Sequence, residues 1–113
     1  MYAYCESKPG VTAGYPFGEG ALVFKVMSKM FVLISENENP LRMNLKCDPD
    51  DAQALRAEHT AIIPGFHMNK KHWNTIVLNG SLQGELVAEM IDHSYDLVVA
   101  KLKRAEKEDL KGR

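Results

Sequence analysis

Leu41-Arg42-Met43-Asn44-Leu45-Lys46-Cys47-Asp48-Pro49-Asp50-Asp51 holds the change of periodicity that decides the fold class. Up to Cys47, apolar and polar residues alternate strictly, the pattern of a strand with one buried face. Asp48 then stands where a helix N-cap belongs, with Pro49 at the first helical position. Asp50 and Asp51 place negative charge where the helix dipole favours it. The spacing predicts a helix over 49–58 that buries Ala52 and Leu55.

Working upstream, the polar stretch 36–40 reads as a turn. Before it, 21–27 and 30–35 are apolar and rich in Val, Phe and Ile, separated by Ser28-Lys29, which predicts a β-hairpin. Pro16 and the glycines at 10, 14, 18 and 20 read as a loop, and a short amphipathic helix over 1–8 stops at Pro9-Gly10. Downstream, 61–63 is a short strand ended by Pro64-Gly65, and 73–78 a strand ended by Asn79-Gly80. From 83 to 102, Leu86, Met90, Ile91, Leu97, Val98 and Leu102 recur at helical spacing, with Ser81 as the N-cap. Residues 104–113 are expected as a charged tail or an extension of that long helix. The whole reads as one α+β domain spanning 1–113.

The length of 113 residues suits a single core, and 45% hydrophobic with 26% charged residues is the composition of an ordered globular chain. A net charge of -1 and a pI near 6.4 argue against a globally cationic nucleic-acid binder, so any such partner needs a local patch. Residues 36–58 are acidic, with three cations against six anions. In contrast, 64–78 carry Lys70, Lys71, His67 and His72 without a carboxylate, and 101–113 hold six cations against three anions. Cys5 and Cys47 form no C-x-x-C pair and read as reduced thiols. The start lacks a basic and apolar leader and no stretch is long enough to span a membrane, so a cytoplasmic location is expected.

Catalytic signals are weak. His59, His67, His72 and His93, with Glu89 four residues before His93, invite a metal reading, but there is no H-E-x-x-H and no thiolate cluster, and no metal or cofactor is expected. Cys47 falls on the apolar phase of its strand and reads as a core residue rather than a nucleophile. The carboxylates at 48, 50 and 51 are explained by capping, and no phosphate-binding glycine motif occurs. The chain is therefore not expected to be an enzyme.

The richest segment is Pro64-Gly65-Phe66-His67-Met68-Asn69-Lys70-Lys71-His72-Trp73-Asn74-Thr75, placed on a loop entering a strand. Lys70 and Lys71 supply ionic donors, Asn69, His67 and His72 further polar groups, and Trp73 a ring suited to bases. The polar face of the 41–47 strand adds Arg42, Asn44 and Lys46 as donors for a phosphate backbone, joined by Lys25 from the hairpin. A solvated sheet face and a surface loop anchored by Trp73 are the competing accounts.

Lys8-Pro9-Gly10-Val11, Tyr15-Pro16-Phe17-Gly18, Leu22-Val23-Phe24-Lys25, Met43-Asn44-Leu45-Lys46-Cys47-Asp48-Pro49, Ile63-Pro64-Gly65, the run 67–75 and Asp92-His93-Ser94-Tyr95 together resemble the MmcQ/YjbR family of small bacterial proteins. The likeness covers about 4–102, and the family has a longer first helix before Tyr4-Cys5. The resemblance implies an antiparallel sheet flanked by helices and a DNA-binding role through a double wing of β-hairpins. The site it favours is Asn69, Lys70, Lys71, His67, His72 and Trp73, with Arg42 and Lys46 assisting in weak, mostly sequence-independent phosphate contacts. The alternative is a protein-protein interaction module or a self-associating domain that binds no nucleic acid.

Overall fold

A computed structural model of the chain describes residues 1–65 and 68–112. The elements run α1 (Tyr2–Glu6), β1 (Val11–Gly14), β2 (Ala21–Val26), β3 (Lys29–Ser35), β4 (Arg42–Lys46), α2 (Pro49–Glu58), β5 (Ile62–Pro64), β6 (Trp73–Val77), α3 (Gly84–Ala100) and α4 (Arg104–Lys111). The strands form one six-stranded sheet in the order β1-β2-β3-β4-β6-β5, antiparallel at every pairing. The expected α+β architecture, with its antiparallel sheet, flanking helices and long C-terminal helix α3, is the one observed.

The register puts Leu22, Phe24, Val32, Ile34, Met43, Leu45, Ile76 and Ile62 on one face, where they form the core with Cys5 of α1 and Met90, Ile91 and Val98 of α3. Helix α3 runs over β2, β3 and β4. Ser94, fully buried on α3, pins it there: its hydroxyl donates to the Phe31 carbonyl at 2.6 Å and accepts the Lys46 N–H at 2.9 Å. Phe31 also meets Tyr95 of α3 edge-to-face, with centroids 5.4 Å apart. Asp48 caps α2 as the sequence indicates, Oδ2 accepting from the N–H groups of Asp50 and Asp51.

Four local expectations are corrected. Part of the glycine-rich segment is a strand: Val11–Gly14 pairs with β2, because the unpaired edge of β2 satisfies its backbone groups. The hairpin turn is Met27-Ser28 rather than Ser28-Lys29, with Val26 paired to Lys29 and Met27 at φ 55, the positive φ that a two-residue loop demands. Ser81 does not cap α3, which begins beyond Gln83; the Ser81 hydroxyl instead donates to Asn79 Oδ1 at 2.6 Å. Residues 104–111 neither fray nor continue α3. The chain breaks at Lys101-Leu102-Lys103, buries Leu102, and starts α4, whose Leu110 packs on the core.

Gly65 explains one fixed point of the β5–β6 hairpin. Its N–H donates to the Trp73 carbonyl at 2.9 Å, and a Cβ there would lie 2.8 Å from Trp73 Cβ and 3.0 Å from that carbonyl oxygen. Gly65→Ala should therefore lower stability by about 1–3 kcal/mol, as overpacking does. A urea midpoint identical to that of the parent protein would show that the strand pair yields without cost.

Candidate functional site

Because every strand pair is antiparallel, the β2–β3 turn at 27–28 and residues 68–72 leading into β6 lie at the same end of the sheet. Lys46 ends β4 at that end. The Ser94 contacts to Phe31 and Lys46 show that α3 runs toward it, so Lys101 follows there too. The opposite end carries Glu19, Glu36 and Glu38 in loops, Glu58 at the close of α2 and Glu85 at the start of α3. The basic end is not free of carboxylates: Asp48, Asp50 and Asp51 open α2 directly after Lys46, and Ser28 of the β2–β3 turn donates to Glu106 at 2.6 Å.

The basic turn is tightly built. Asn69 Oδ1 accepts the Lys71 N–H at 2.9 Å, and the Asn69 carbonyl accepts from His72 N at 3.2 Å and Trp73 N at 2.9 Å. This self-capped turn holds Lys70 and Lys71 exposed. Arg56 of α2 ties it to the core, donating from one guanidinium nitrogen to the Lys70 carbonyl at 2.5 Å and from Nε to buried Asn74 Oδ1 at 2.7 Å. Lys70 Nζ reaches back to the Gly65 carbonyl at 3.4 Å, whereas Lys71 has no such bond among the described residues.

Next to the turn, Lys46, Asn69, His72, Trp73, Leu97 and Lys101 line a shallow depression of about 480 Å³. Among the described residues no carboxylate lies within ion-pair distance of Lys46, Lys70, Lys71 or Lys101. Asp48 and Pro49 complete the rim; the Asp48 carboxylate accepts the two α2 cap bonds and keeps its negative charge there, against the cations of Lys46 and Lys101. Such an arrangement offers mobile ammonium donors, an imidazole and a half-buried indole around one concavity, chemistry suited to a phosphate or other anion.

The predicted residues are therefore only partly brought together. Asn69, Lys70, Lys71, His72, Trp73 and Lys46 converge; His67 lies outside the described residues. Arg42 does not join them. It starts β4, at the opposite end from Lys46, in a groove on the other sheet face with Phe17, Met30, Leu33 and Met68. Asn44 is also unavailable: it is 4% exposed, donates to the Leu33 carbonyl and accepts from Thr75 Oγ1 at 2.5 Å. Strict alternation suggested a solvated polar face, but in the middle of it Asn44 is buried within the sheet, and Arg42 and Lys46 at the strand ends are half-buried.

Two contributors escaped the sequence reading. Lys101 stood out only as one of many late cations, and Arg56 only as a charge in an acidic segment. No spacing rule links either to the basic run, because α3 and α2 bring them there through tertiary packing.

His93 lies 3.7 Å from Asp51 and His59 3.9 Å from Glu58, but among the described residues no three histidine, thiol or carboxylate groups come together. His93 Nε2 accepts the Asp48 N–H at 3.3 Å, and His93 and Glu89 line a cleft between α2 and α3. Cys47 is a buried residue, as its strand phase indicates, and burial together with the neighbouring Asp51 and Asp48 charges pushes its thiol up to about 11. Burial likewise raises Cys5 to about 11, against the opposing N-terminus and Lys8. An acid whose folded pKa is raised stabilises the fold fully below its unfolded pKa and loses that contribution as pH climbs through the folded value. The stability of the native state should thus fall between about pH 9 and 11, and iodoacetamide at pH 8 should label the native thiols far more slowly than those of the urea-unfolded chain. Equal labelling rates would show that the thiols are open to solvent.

No helix among the described residues is long and apolar enough to cross a membrane. Fold and site together define a small α+β domain with a six-stranded antiparallel sheet, helices against one face and a cationic depression at one end. The chain belongs to the YjbR family, whose model matches residues 6–97. It is 34% identical over 99 residues to the Escherichia coli K12 protein YjbR, covering 88% of this chain and 84% of that one. The protein YbdF of Escherichia coli O157:H7 is 37% identical over 91 residues, covering 80% of this chain and 75% of its own length. Among solved structures, Deinococcus radiodurans protein DR2400, which carries a DUF419 domain, superposes with a TM-score of 0.89 at 40% identity, covering 96% of this chain and 83% of that chain.

Proposed function

We propose that the chain binds nucleic acid weakly and with little sequence preference through the cationic end of its sheet. One observation carries this reading: Lys46, Lys101, His72, Asn69 and Trp73 surround a single depression beside exposed Lys70 and Lys71, with no competing ion pair among the described residues. The β2–β3 turn at 27–28 and residues 68–72 before β6 lie at the same end of the sheet, which fits the double-wing contact implied by the family resemblance. Phosphate contacts dominate affinity, made by the lysines of this end in spite of the carboxylates that open α2.

The test is a salt titration of duplex binding. With two to four phosphates neutralised, log affinity should fall against log salt with a slope of about -2 to -4, and the double substitution Lys70→Ala, Lys71→Ala should reduce that slope by about 1 to 2. A flat salt response, or an unchanged slope in the double variant, would remove the basic turn from any binding site.

A second reading, contact with a protein partner or another copy of the chain, is favoured by a different feature. Phe17, 71% exposed on the loop before β2, lines the groove on the face without helices, and Tyr15 of the same loop is 50% exposed. Mass in solution for the parent protein and Phe17→Ser distinguishes it: a monomer in both leaves the loop without this role.

A further inference from the structure

The cleft between α2 and α3, over β4 and β6, is separate in character from the basic depression. It has a volume of about 280 Å³, and Leu45, Leu55, Ile76, Leu86 and Met90 give it apolar walls. Asn74, which also lines it, is 2% exposed. Arg56 Nε donates to Asn74 Oδ1 at 2.7 Å. Because a guanidinium only donates, this bond fixes which end of the amide is oxygen and which is nitrogen. The remaining Nδ2 is buried without a hydrogen-bond partner. A buried donor left unsatisfied carries its full desolvation penalty, so a group that accepts from it gains more than the same contact would at the surface.

The mouth of the cleft has its own polarity. Asp51, Glu58 and Glu89 are all exposed carboxylates at its edge, against the single ammonium of Lys46. Anions are disfavoured there, while neutral or cationic molecules are not. As for size, an apolar cavity of about 150 Å³ accommodates benzene, and ligand pockets begin near 300 Å³. The cleft therefore has room for roughly a two-ring molecule.

We propose that this cleft is a binding site for a small, flat, mostly apolar, neutral or cationic molecule whose hydrogen-bond acceptor meets Asn74 Nδ2. The site is independent of the nucleic-acid reading: it lies on the helix-covered face, and its test reads ligand contact rather than polyanion affinity.

Quinoline and naphthalene are matched probes, since they share one shape and differ by a ring nitrogen that accepts a hydrogen bond. Titrated into the protein and followed by the methyl resonances of Leu45, Leu55, Leu86 and Met90, quinoline should bind about five-fold more tightly than naphthalene, the ratio one buried hydrogen bond supplies. The anion 2-naphthoate should bind weakest. Asn74→Asp keeps an acceptor for Arg56 but removes the donor, so the preference for quinoline should vanish. Ala54→Trp, on the exposed side of α2 at the cleft edge, should block both probes without touching the core. Equal binding of quinoline and naphthalene by the parent protein would overturn the role of Asn74. Methyl resonances unmoved by millimolar quinoline would overturn the site itself.

Discussion

Reversing the charge of both Lys46 and Lys101 to glutamate should weaken duplex DNA binding on the order of a hundred-fold near 50 mM salt, because two phosphate contacts become repulsions. The corresponding alanine pair should keep more affinity but reduce the salt slope by about 2. Arg42→Glu provides the control. It changes charge by the same amount per residue, yet Arg42 occupies the opposite end of β4 and the groove containing Phe17. Its affinity should stay within about two-fold of the parent protein, the residue of long-range field that survives screening. A loss from Arg42→Glu as large as that from Lys46→Glu would move the contact surface from the sheet end to the open sheet face. Competition isotherms at three salt concentrations measure both the affinities and the slopes.

Arg56→Ala should be the most damaging single change near the site. The guanidinium satisfies Oδ1 of Asn74, which is 2% exposed, and holds the Lys70 carbonyl of the basic turn. Truncation leaves the buried Asn74 oxygen without its partner and frees the turn, a loss of about 2–3 kcal/mol for charged hydrogen bonds to buried groups. In a domain of this size that lowers the melting temperature by roughly 8–20 °C. Amide exchange should separate this local clamp from general destabilisation. Under native conditions the N–H groups of Lys71, His72 and Trp73 should exchange faster in the variant, while those of β2 and β3 keep their protection. A urea midpoint within the error of the parent protein, with unchanged exchange in the turn, would mean that Arg56 merely decorates the surface.

These expectations rest on residues of unequal legibility. The basic turn is a local object, built from Asn69 capping its own neighbours, and its residues are contiguous, so composition exposes it. Lys101 and Arg56 belong to the same region only because Ser94 fixes α3 against β3 and β4 and because α2 packs beside β6. Neither relation has a sequence period. Asn44 was misplaced for a related reason: alternation along a strand reports which residues face together, not whether the second face is open. Its side chain is spent on Thr75 and Leu33, inside the sheet. The edge strand β1 was hidden because four residues, one of them Gly14, are too few to carry a pattern, and its place is dictated by the free edge of β2.

By itself, the sequence determined the elements whose signals are short-ranged: the alternation of β4, the capped start of α2, the paired apolar runs of β2 and β3, and the helical period of α3. These follow from backbone geometry and from the hydrogen bonds of neighbouring residues, which act over a few positions of chain. Tertiary structure alone decided how charge is distributed. Antiparallel pairing of all six strands sends both hairpin ends, Lys46 and the close of α3 to one side, and sends Glu19, Glu36 and Glu38 to the other. Coulombic fields depend on distance in space rather than separation along the chain, so Lys46, Lys70, Lys71 and Lys101 act as one cluster, with Asp48 on its rim, only once the chain is folded.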